Sequence, residues 1–281
     1  MSLYQPKIGL ALGGGGARGA AHIGVLKQLR LLSISPHCIA GTSAGSVVAA
    51  LYAFGISLEV MEEEMKKLKP VAYSTFSLRG LGLFENKEIQ KLLERLLPEN
   101  AQIEAAKIPL AIKATNLLNG RGVSLVRGPV IPAVLASSCV PGIYTPQEIE
   151  GMLLVDGGLT ENVPLSSLKL LGAHLRIGVN LNGNEGYTRP EGMMDVLSNA
   201  MDIAIDAQTR RQLEEAHVNI SMDLTRYSRT SSVDFDELIF EGMKATKKVI
   251  KSQVLLKYWV LIKKVWGLIK ALLPVKVPLL K

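Results

Sequence analysis

The 281-residue chain has few cysteines, no long apolar run and no internal repeat, and each shortage excludes a class of protein. Two cysteines, Cys38 and Cys139, cannot form the disulfide framework of a small secreted domain. No apolar run approaches the roughly 18 residues that a membrane-spanning helix needs. No Cys/His cluster has the spacing of metal ligands, so we expect no metal and no cofactor. Because no charged-then-apolar leader precedes the first apolar run, we expect a cytoplasmic protein.

The apolar residues, 48% of the chain, are enough for a large core, and their pattern predicts an α/β fold. We expect a mostly parallel central sheet between layers of helices, in one domain over 1–243. The predicted strands are 7–12, 37–40, 108–115, 122–126, 152–155, 174–180 and 218–222. Helical patterns cover 57–69, 86–97 and 191–217, and we interpret 77–84 as an ordinary connection.

A glycine-rich loop, Gly14-Gly15-Gly16-Ala17-Arg18-Gly19, follows the first predicted strand and precedes a helical segment. Such a turn exposes backbone N–H groups at the positive end of a helix and therefore suits an anion. The spacing also fits a dinucleotide-binding loop, but 37–40 lacks the acidic residue that such a loop has about twenty positions on. A Walker loop is excluded because no lysine follows Gly19.

A second motif, Gly41-Thr42-Ser43-Ala44-Gly45, joins a short apolar segment to a helical run. This is the strand-to-helix turn of a nucleophile elbow, in which Gly41 and Gly45 permit the sharp bend and the Ser43 hydroxyl stands clear of the sheet. The alternative is a serine that caps a helix.

A serine hydroxyl needs a base to attack an ester, and the sequence offers histidines and one notable aspartate. The histidines, none of which lies in a glycine-flanked loop, are His22, His37, His174 and His217. Asp156 follows the apolar segment 152–155 and precedes Gly157 and Gly158, so we expect its carboxylate at the strand end where α/β sheets deliver catalytic groups. An Asp-Gly-Gly turn without function is the alternative.

Taken together and in this order, the three motifs resemble the patatin-like phospholipase family. Further matches are Ala21-His22-Ile23-Gly24-Val25-Leu26 and Pro141-Gly142, and the similarity covers about residues 7–180. The resemblance implies a Ser43–Asp156 dyad without histidine. It also implies an oxyanion hole built by Gly14, Gly15, Gly16 and Gly19, with the N–H groups of Gly15 and Gly16 as the main donors and Arg18 at the family's basic position.

The resemblance implies a lipid acyl hydrolase that releases fatty acid from a lipid ester through an acyl-enzyme. Arg18 has two readings in this scheme: it steadies the loop or attracts a phosphate head group. Two rival functions remain open. One is an esterase with a Ser-His-Asp triad, and the other is a membrane-bound interaction protein without turnover.

The end of the chain carries a separate feature, a basic and amphipathic tail over 244–281. It contains ten of the 32 basic residues and none of the 25 acidic ones, so the tail has a charge of +10 and the rest of the chain −3. On a helical wheel four of the lysines, 257, 263, 264 and 270, share one arc opposite the apolar residues, and both tryptophans lie at a border between the two arcs. The predicted membrane contacts are Lys257, Trp259, Lys263, Lys264, Trp266 and Lys270.

This pattern predicts a helix that lies in an anionic membrane surface and makes the protein a peripheral one. Packing of the apolar face on the domain or on a second subunit is the alternative. Nucleic acid is not expected as a partner, because the tail has no arginine and the chain has no recognised binding motif.

The tail hypothesis predicts that truncation after residue 243 weakens binding to vesicles of anionic phospholipid. The full chain should lose affinity as salt is added, because screening weakens the lysine contacts. Co-sedimentation with vesicles measures both effects, and unchanged binding by the truncated chain would contradict the hypothesis.

Overall fold

The structure is a computed structural model that describes residues 6–68, 75–76, 82–184, 186–187, 189–229 and 233–252. The strands are β1 (Ile8–Leu12), β2 (Cys38–Thr42), β3 (Thr75–Phe76), β4 (Gly82–Glu85), β5 (Leu110–Asn116), β6 (Arg121–Leu125), β7 (Gly142–Tyr144), β8 (Gln147–Ile149), β9 (Met152–Asp156), β10 (Leu175–Asn180) and β11 (Val218–Ser221). The α-helices are α1 (Ala20–Leu31), α2 (Ala44–Ala53), α3 (Leu58–Lys66), α4 (Lys87–Leu96), α5 (Val130–Ser137), α6 (Gly158–Glu161), α7 (Leu165–Leu170), α8 (Met193–Leu213) and α9 (Phe235–Ser252).

A mixed central sheet organises the fold, with the strand order β11-β10-β1-β2-β5-β9-β8 and with β6 paired to β5. The strands from β11 to β5 run parallel, whereas β6, β8 and β9 pair antiparallel to their neighbours. A smaller sheet, in the order β3-β4-β7, lies apart from it.

Helices cover both faces of the central sheet. Successive side chains of a strand point to opposite faces, so each strand contributes apolar residues to a core on either side. Leu10 and Leu12 belong to the larger core, which includes residues of α1, α2 and α9, while Ala11 between them belongs to a second core with α7. The expected three-layer α/β fold with a mostly parallel sheet is therefore confirmed.

The predicted strands of the central sheet agree with the observed ones, because each is a short apolar run between turn signals. The structure differs at 77–84, which we interpreted as a connection: β4 begins there at Gly82. The strands β7 and β8 are also absent from the prediction. These strands are only three or four residues long, too short for a clear alternation pattern, and the pairing of β4 with β7 joins segments that are far apart in the chain.

The last described helix, α9, passes through the predicted domain boundary at 243 and ends at Ser252. It crosses α1 at very short range: a Cβ atom on Gly242 would lie 2.0 Å from the Ala21 carbonyl oxygen, and one on Gly24 would lie 2.0 Å from the Ile239 carbonyl oxygen. The predicted membrane contacts at 257–270 lie outside the described residues, and the two-part division stays a prediction. A truncation after Ser252 removes most of the predicted tail and keeps every described residue of α9.

Within the described ranges, no helix combines the length and apolar character needed to cross a bilayer.

The close glycine contact between α1 and α9 predicts that a Gly→Ala substitution there destabilises the protein, whereas the same substitution in an exposed helix stabilises it. In an exposed helix, Gly→Ala is stabilising by about 1 kcal/mol, but Gly242→Ala should lower the free energy of unfolding by about 1–3 kcal/mol because the new methyl group overlaps backbone atoms. Gly192→Ala is the control, since nothing lies within 4 Å of its Cβ position; its effect should stay below about 1 kcal/mol. Urea denaturation measures both variants. Equal stability of Gly242→Ala and the wild type would contradict the close crossing.

Candidate active site

Ser43 occupies a strained turn between β2 and α2. Its φ of 51° and ψ of −126° lie in a region that side chains other than glycine rarely adopt. The flanking glycines make the turn possible: a Cβ atom on Gly41 would lie 2.4 Å from the Gly45 carbonyl oxygen, and one on Gly45 would lie 2.2 Å from the Leu12 carbonyl oxygen. This is the geometry of a nucleophile elbow rather than that of an ordinary capping serine, and the Ser43 side chain makes no cap hydrogen bond.

Two hydrogen bonds connect the turn at Ser43 to neighbouring segments. The Ser43 N–H donates to Ser137 Oγ over 2.9 Å, and Ser137 Oγ donates to the Lys113 carbonyl oxygen over 2.6 Å. Ser137 is fully buried at the end of α5. The elbow is thereby attached to the middle of β5.

Asp156 lies at the end of β9, opposite the serine. Asp156 is 7% exposed and accepts a hydrogen bond from the Gly158 N–H over 2.8 Å, and its carboxylate interacts with the Ser43 side chain. The expectation that Asp156 ends a strand is correct, but β9 runs antiparallel to β5, so the aspartate does not arrive as the end of one more parallel strand. Sheet register brings it to the serine instead: Thr42 pairs with Lys113, and Asp156 pairs with the next residue, Ala114.

Burial raises the pKa of Asp156 to about 6. The hydrogen bond from Gly158 and the interaction with the Ser43 side chain lower the pKa, and the nearby carboxylate of Asp202 raises it. At neutral pH the group is therefore mostly ionised and is a stronger base than an exposed aspartate.

The turn after Asp156 is fixed by a buried ion pair between Lys113 Nζ and Glu161 Oε2, 2.7 Å apart. Glu161 also accepts the Ser166 N–H over 2.7 Å. Gly157 is required here because its Cβ atom would lie 2.4 Å from the Lys113 carbonyl oxygen. Burying either charge without its partner would lower the stability of the fold. The ion pair therefore keeps α6 beside β5.

The glycine loop passes over the same site. Gly14 donates its N–H to Asn162 Oδ1 over 3.0 Å, and Ala17 donates to the Arg229 carbonyl oxygen over 2.8 Å. Between them, the N–H groups of Gly15 and Gly16 have no acceptor among the described residues. Gly16 has a φ of +58°, and a Cβ atom there would lie 2.3 Å from the Arg229 carbonyl oxygen. Two adjacent N–H groups thus remain available for an oxyanion.

Arg18 and Gly19 support this loop. Arg18 is buried, and its guanidinium donates to the Tyr227 carbonyl oxygen at 2.7 and 2.9 Å and to Asn182 Oδ1 at 3.2 Å. Burial, followed by the charge of Arg229, lowers its pKa to about 10. Gly19 lets the loop approach the elbow, since its Cβ atom would lie 2.7 Å from Ala44 Cβ. Of the two readings of Arg18, these contacts favour the one in which it steadies the loop.

None of the four histidines lines the pocket at Ser43. His22 is fully buried and donates from Nε2 to the Gly13 carbonyl oxygen over 2.7 Å, and burial lowers its pKa to about 4. The other three histidines accept backbone N–H groups at the amino ends of β1 and β10, whereas Ser43 follows the carboxyl end of β2. The pairs are His37 with Ile8, His174 with Lys7 and His217 with Arg176.

The pocket that contains Ser43 and Asp156 has a volume of about 350 Å³ and largely apolar walls. Its apolar lining residues come from many segments of the chain. They include Val47, Met65, Ile89, Val140, Ile143, Tyr144, Leu159, Met201, Ile205 and Phe235. Asp202 and Arg229 form an ion pair on the wall, and Arg229 also lies 3.7 Å from Asp206. Among the described residues, no group of His, Cys, Asp and Glu has an arrangement that would hold a metal ion.

Sequence reasoning missed several residues of this site. Ser137 and Lys113 lie in segments without any motif, and nothing local marks them, whereas Glu161 directly precedes Asn162 after the Asp-Gly-Gly turn. Asn162 had a usable signal, because it follows the Asp-Gly-Gly turn closely and precedes Val163-Pro164.

The fold and site define an α/β protein with a nucleophile elbow, a glycine-rich loop and a buried aspartate at one pocket. A family model described as "Patatin-like phospholipase" matches residues 10–169, and the chain belongs to this family.

Relatives found by sequence agree with that assignment. An uncharacterised NTE family protein of Mycobacterium tuberculosis is 37% identical over 187 residues, which are 64% of this chain and 51% of the relative. Lysophospholipase nte1 of Emericella nidulans is 30% identical over 207 residues, 68% of this chain and 13% of the relative. The chain thus spans about half the length of the mycobacterial relative and far less of the fungal one.

Among solved structures, VipD from Legionella pneumophila gives a TM-score of 0.47 at 14% identity, covering 89% of this chain and 67% of VipD. The type III effector protein ExoU gives a TM-score of 0.43 at 16% identity, covering 88% of this chain and 53% of ExoU.

Proposed function

We propose that this protein is a lipid ester hydrolase in which Ser43 is the nucleophile and Asp156 its base. The observation that carries the proposal is that Ser43, in a strained turn, and the buried carboxylate of Asp156 interact at one apolar pocket, beside two available N–H groups. Membership of the patatin-like phospholipase family supports it.

The reaction follows from these contacts. Asp156 takes the proton of the Ser43 hydroxyl as the serine oxygen attacks the ester carbonyl. The N–H groups of Gly15 and Gly16 stabilise the negative oxygen of the tetrahedral intermediate. The leaving alcohol takes the proton, and water then releases the fatty acid from the acyl-enzyme with Asp156 again acting as the base.

The pocket supports an ester with a long acyl chain as substrate. Aliphatic side chains from α2, α4 and α8 surround the space beside Ser43, where they would cover an acyl chain and exclude water from the ester. The name lysophospholipase carried by the fungal relative fits this substrate class, and a lysophospholipid is our first candidate. Substrate of this kind resides in membranes, and we infer that the basic tail brings the protein to an anionic membrane surface.

The two rival functions are less well supported. A Ser-His-Asp triad needs a histidine that contacts the serine, and all four histidines bind backbone groups elsewhere. A protein without turnover would gain nothing from a strained serine, whose backbone conformation costs about 1–3 kcal/mol.

The dyad predicts that Ser43→Ala and Asp156→Asn each reduce fatty-acid release by about 10⁴-fold or more. The measurement compares both variants with wild type on phospholipid, lysophospholipid and short-chain ester substrates. His22→Gln is the comparison for a triad and should retain more activity than Asp156→Asn. Loss of activity with Ser43→Ala but not with Asp156→Asn would exclude the dyad, and inactive wild type would exclude hydrolysis.

The raised pKa of Asp156 predicts how activity depends on pH. Because only the ionised aspartate is a base, kcat/KM should fall tenfold per pH unit below about pH 6. Asp202→Asn removes a negative charge that raises this pKa, so the acid limb should move to lower pH. Asp236→Asn removes the same charge from an exposed ion pair with Lys66 and serves as the control. If the acid limb of the pH profile is unchanged in Asp202→Asn, the charge of Asp202 does not raise the pKa of Asp156.

A further inference from the structure

Asn162 is a buried polar residue whose side chain is only half used. It is 4% exposed and lines the pocket that contains Ser43 and Asp156. Its Oδ1 accepts the Gly14 N–H over 3.0 Å, while its Nδ2 has no acceptor among the described residues. A buried amide N–H₂ without a partner lowers stability, so its presence at a ligand pocket requires an explanation.

The orientation of the amide is determined by its neighbour. The Gly14 N–H can only donate, so the Asn162 atom that faces it is the oxygen, and the nitrogen points to the other side. Gly14 also lies against the nucleophile, since a Cβ atom on Gly14 would lie 2.8 Å from Asn162 Oδ1 and 3.1 Å from Ser43 Cβ.

The segment that carries Asn162 is held on two sides. The Thr42 hydroxyl donates to the carbonyl oxygen of Glu161 over 3.1 Å, and the Glu161 side chain forms the buried ion pair with Lys113. Thr42 immediately precedes Ser43, so the same contacts that position the nucleophile also position Asn162. A donor fixed in this way needs no reorganisation when negative charge develops near it.

We propose that Asn162 is a further catalytic residue of this site, which uses Oδ1 to fix the glycine loop and Nδ2 to donate a hydrogen bond to an oxygen of the bound ester. The donor strengthens as the ester oxygen becomes an oxyanion, so it contributes mainly to kcat rather than to KM. This inference rests on the proposed ester hydrolysis at Ser43.

Asn162→Asp separates the two functions of the side chain. The carboxylate keeps an oxygen for the Gly14 N–H but has no N–H to donate. It also adds negative charge near Asp156, which raises the pKa of that base and moves the acid limb of the pH profile to higher pH. The informative quantity is therefore kcat on the alkaline plateau, where Asp156 is ionised in both proteins.

Asn180→Asp is the matched control. Asn180 is also 4% exposed, but both ends of its amide are bound, with Nδ2 3.2 Å from the Asn182 carbonyl oxygen and Oδ1 3.1 Å from the Asn182 N–H, and it does not line the pocket at Ser43. It reports the cost of converting a buried asparagine into an aspartate. Thermal unfolding of each variant shows which proteins are folded at the assay temperature.

We expect Asn162→Asp and Asn162→Ala to lower the plateau kcat for a lysophospholipid by about 10²-fold, with KM changed less than about threefold, as for loss of one oxyanion donor. Asn180→Asp should stay within about threefold of wild type. A near-normal plateau in Asn162→Asp would overturn the proposal, because the residue would then act only as an acceptor for the loop. Wild type and Ser43→Ala are measured alongside. If wild type and Ser43→Ala have the same activity, the proposed function is wrong and this inference fails with it. If Ser43→Ala is inactive and Asn162→Asp is near normal, only the role of Asn162 is wrong.

Discussion

The pairing of β5 with both β2 and β9 is the constraint on which the site depends. Lys113 and Ala114 are consecutive residues of β5, and they pair with Thr42 and Asp156, the last residues of the two neighbouring strands. Backbone hydrogen bonds therefore bring Ser43 and Asp156 to the same level of the sheet, although they are far apart in the chain. Since a slip of one residue reverses the side-chain directions of a strand, the register leaves little freedom for this pair.

Lys113 connects that backbone pairing to the surroundings of the site. Its carbonyl oxygen accepts the Ser137 hydroxyl beneath the elbow, and its ammonium group binds Glu161 after the Asp-Gly-Gly turn. One residue of β5 thus supports both Ser43 and the segment that contains Asn162. Such support matters because the strained Ser43 conformation persists only if the surrounding contacts determine it fully.

The electrostatics of the pocket follow from burial. The hydrogen bond from Gly158 and the interaction with Ser43 do not offset the loss of water around Asp156, so its pKa rises instead of falling. His22, buried behind the glycine loop, loses its charge for the same reason and acts as a neutral donor to Gly13. The positive charge of Arg18 is directed at backbone carbonyls rather than into the pocket, which leaves the Gly15 and Gly16 N–H groups as the candidates for oxyanion binding.

Glycine spacing and apolar periodicity are local signals, and from them the fold class, the main strands, the glycine-flanked turn at Ser43, the glycine loop and the position of Asp156 at a strand end could be predicted. The small sheet and the antiparallel direction of β9 could not, because they depend on pairing between distant segments. The contacts that bring Ser137, Lys113, Glu161 and Asn162 to the site exist in the folded chain alone. Their side chains act through contacts across 24 to 148 positions of the chain, and a residue pattern carries no record of such distances.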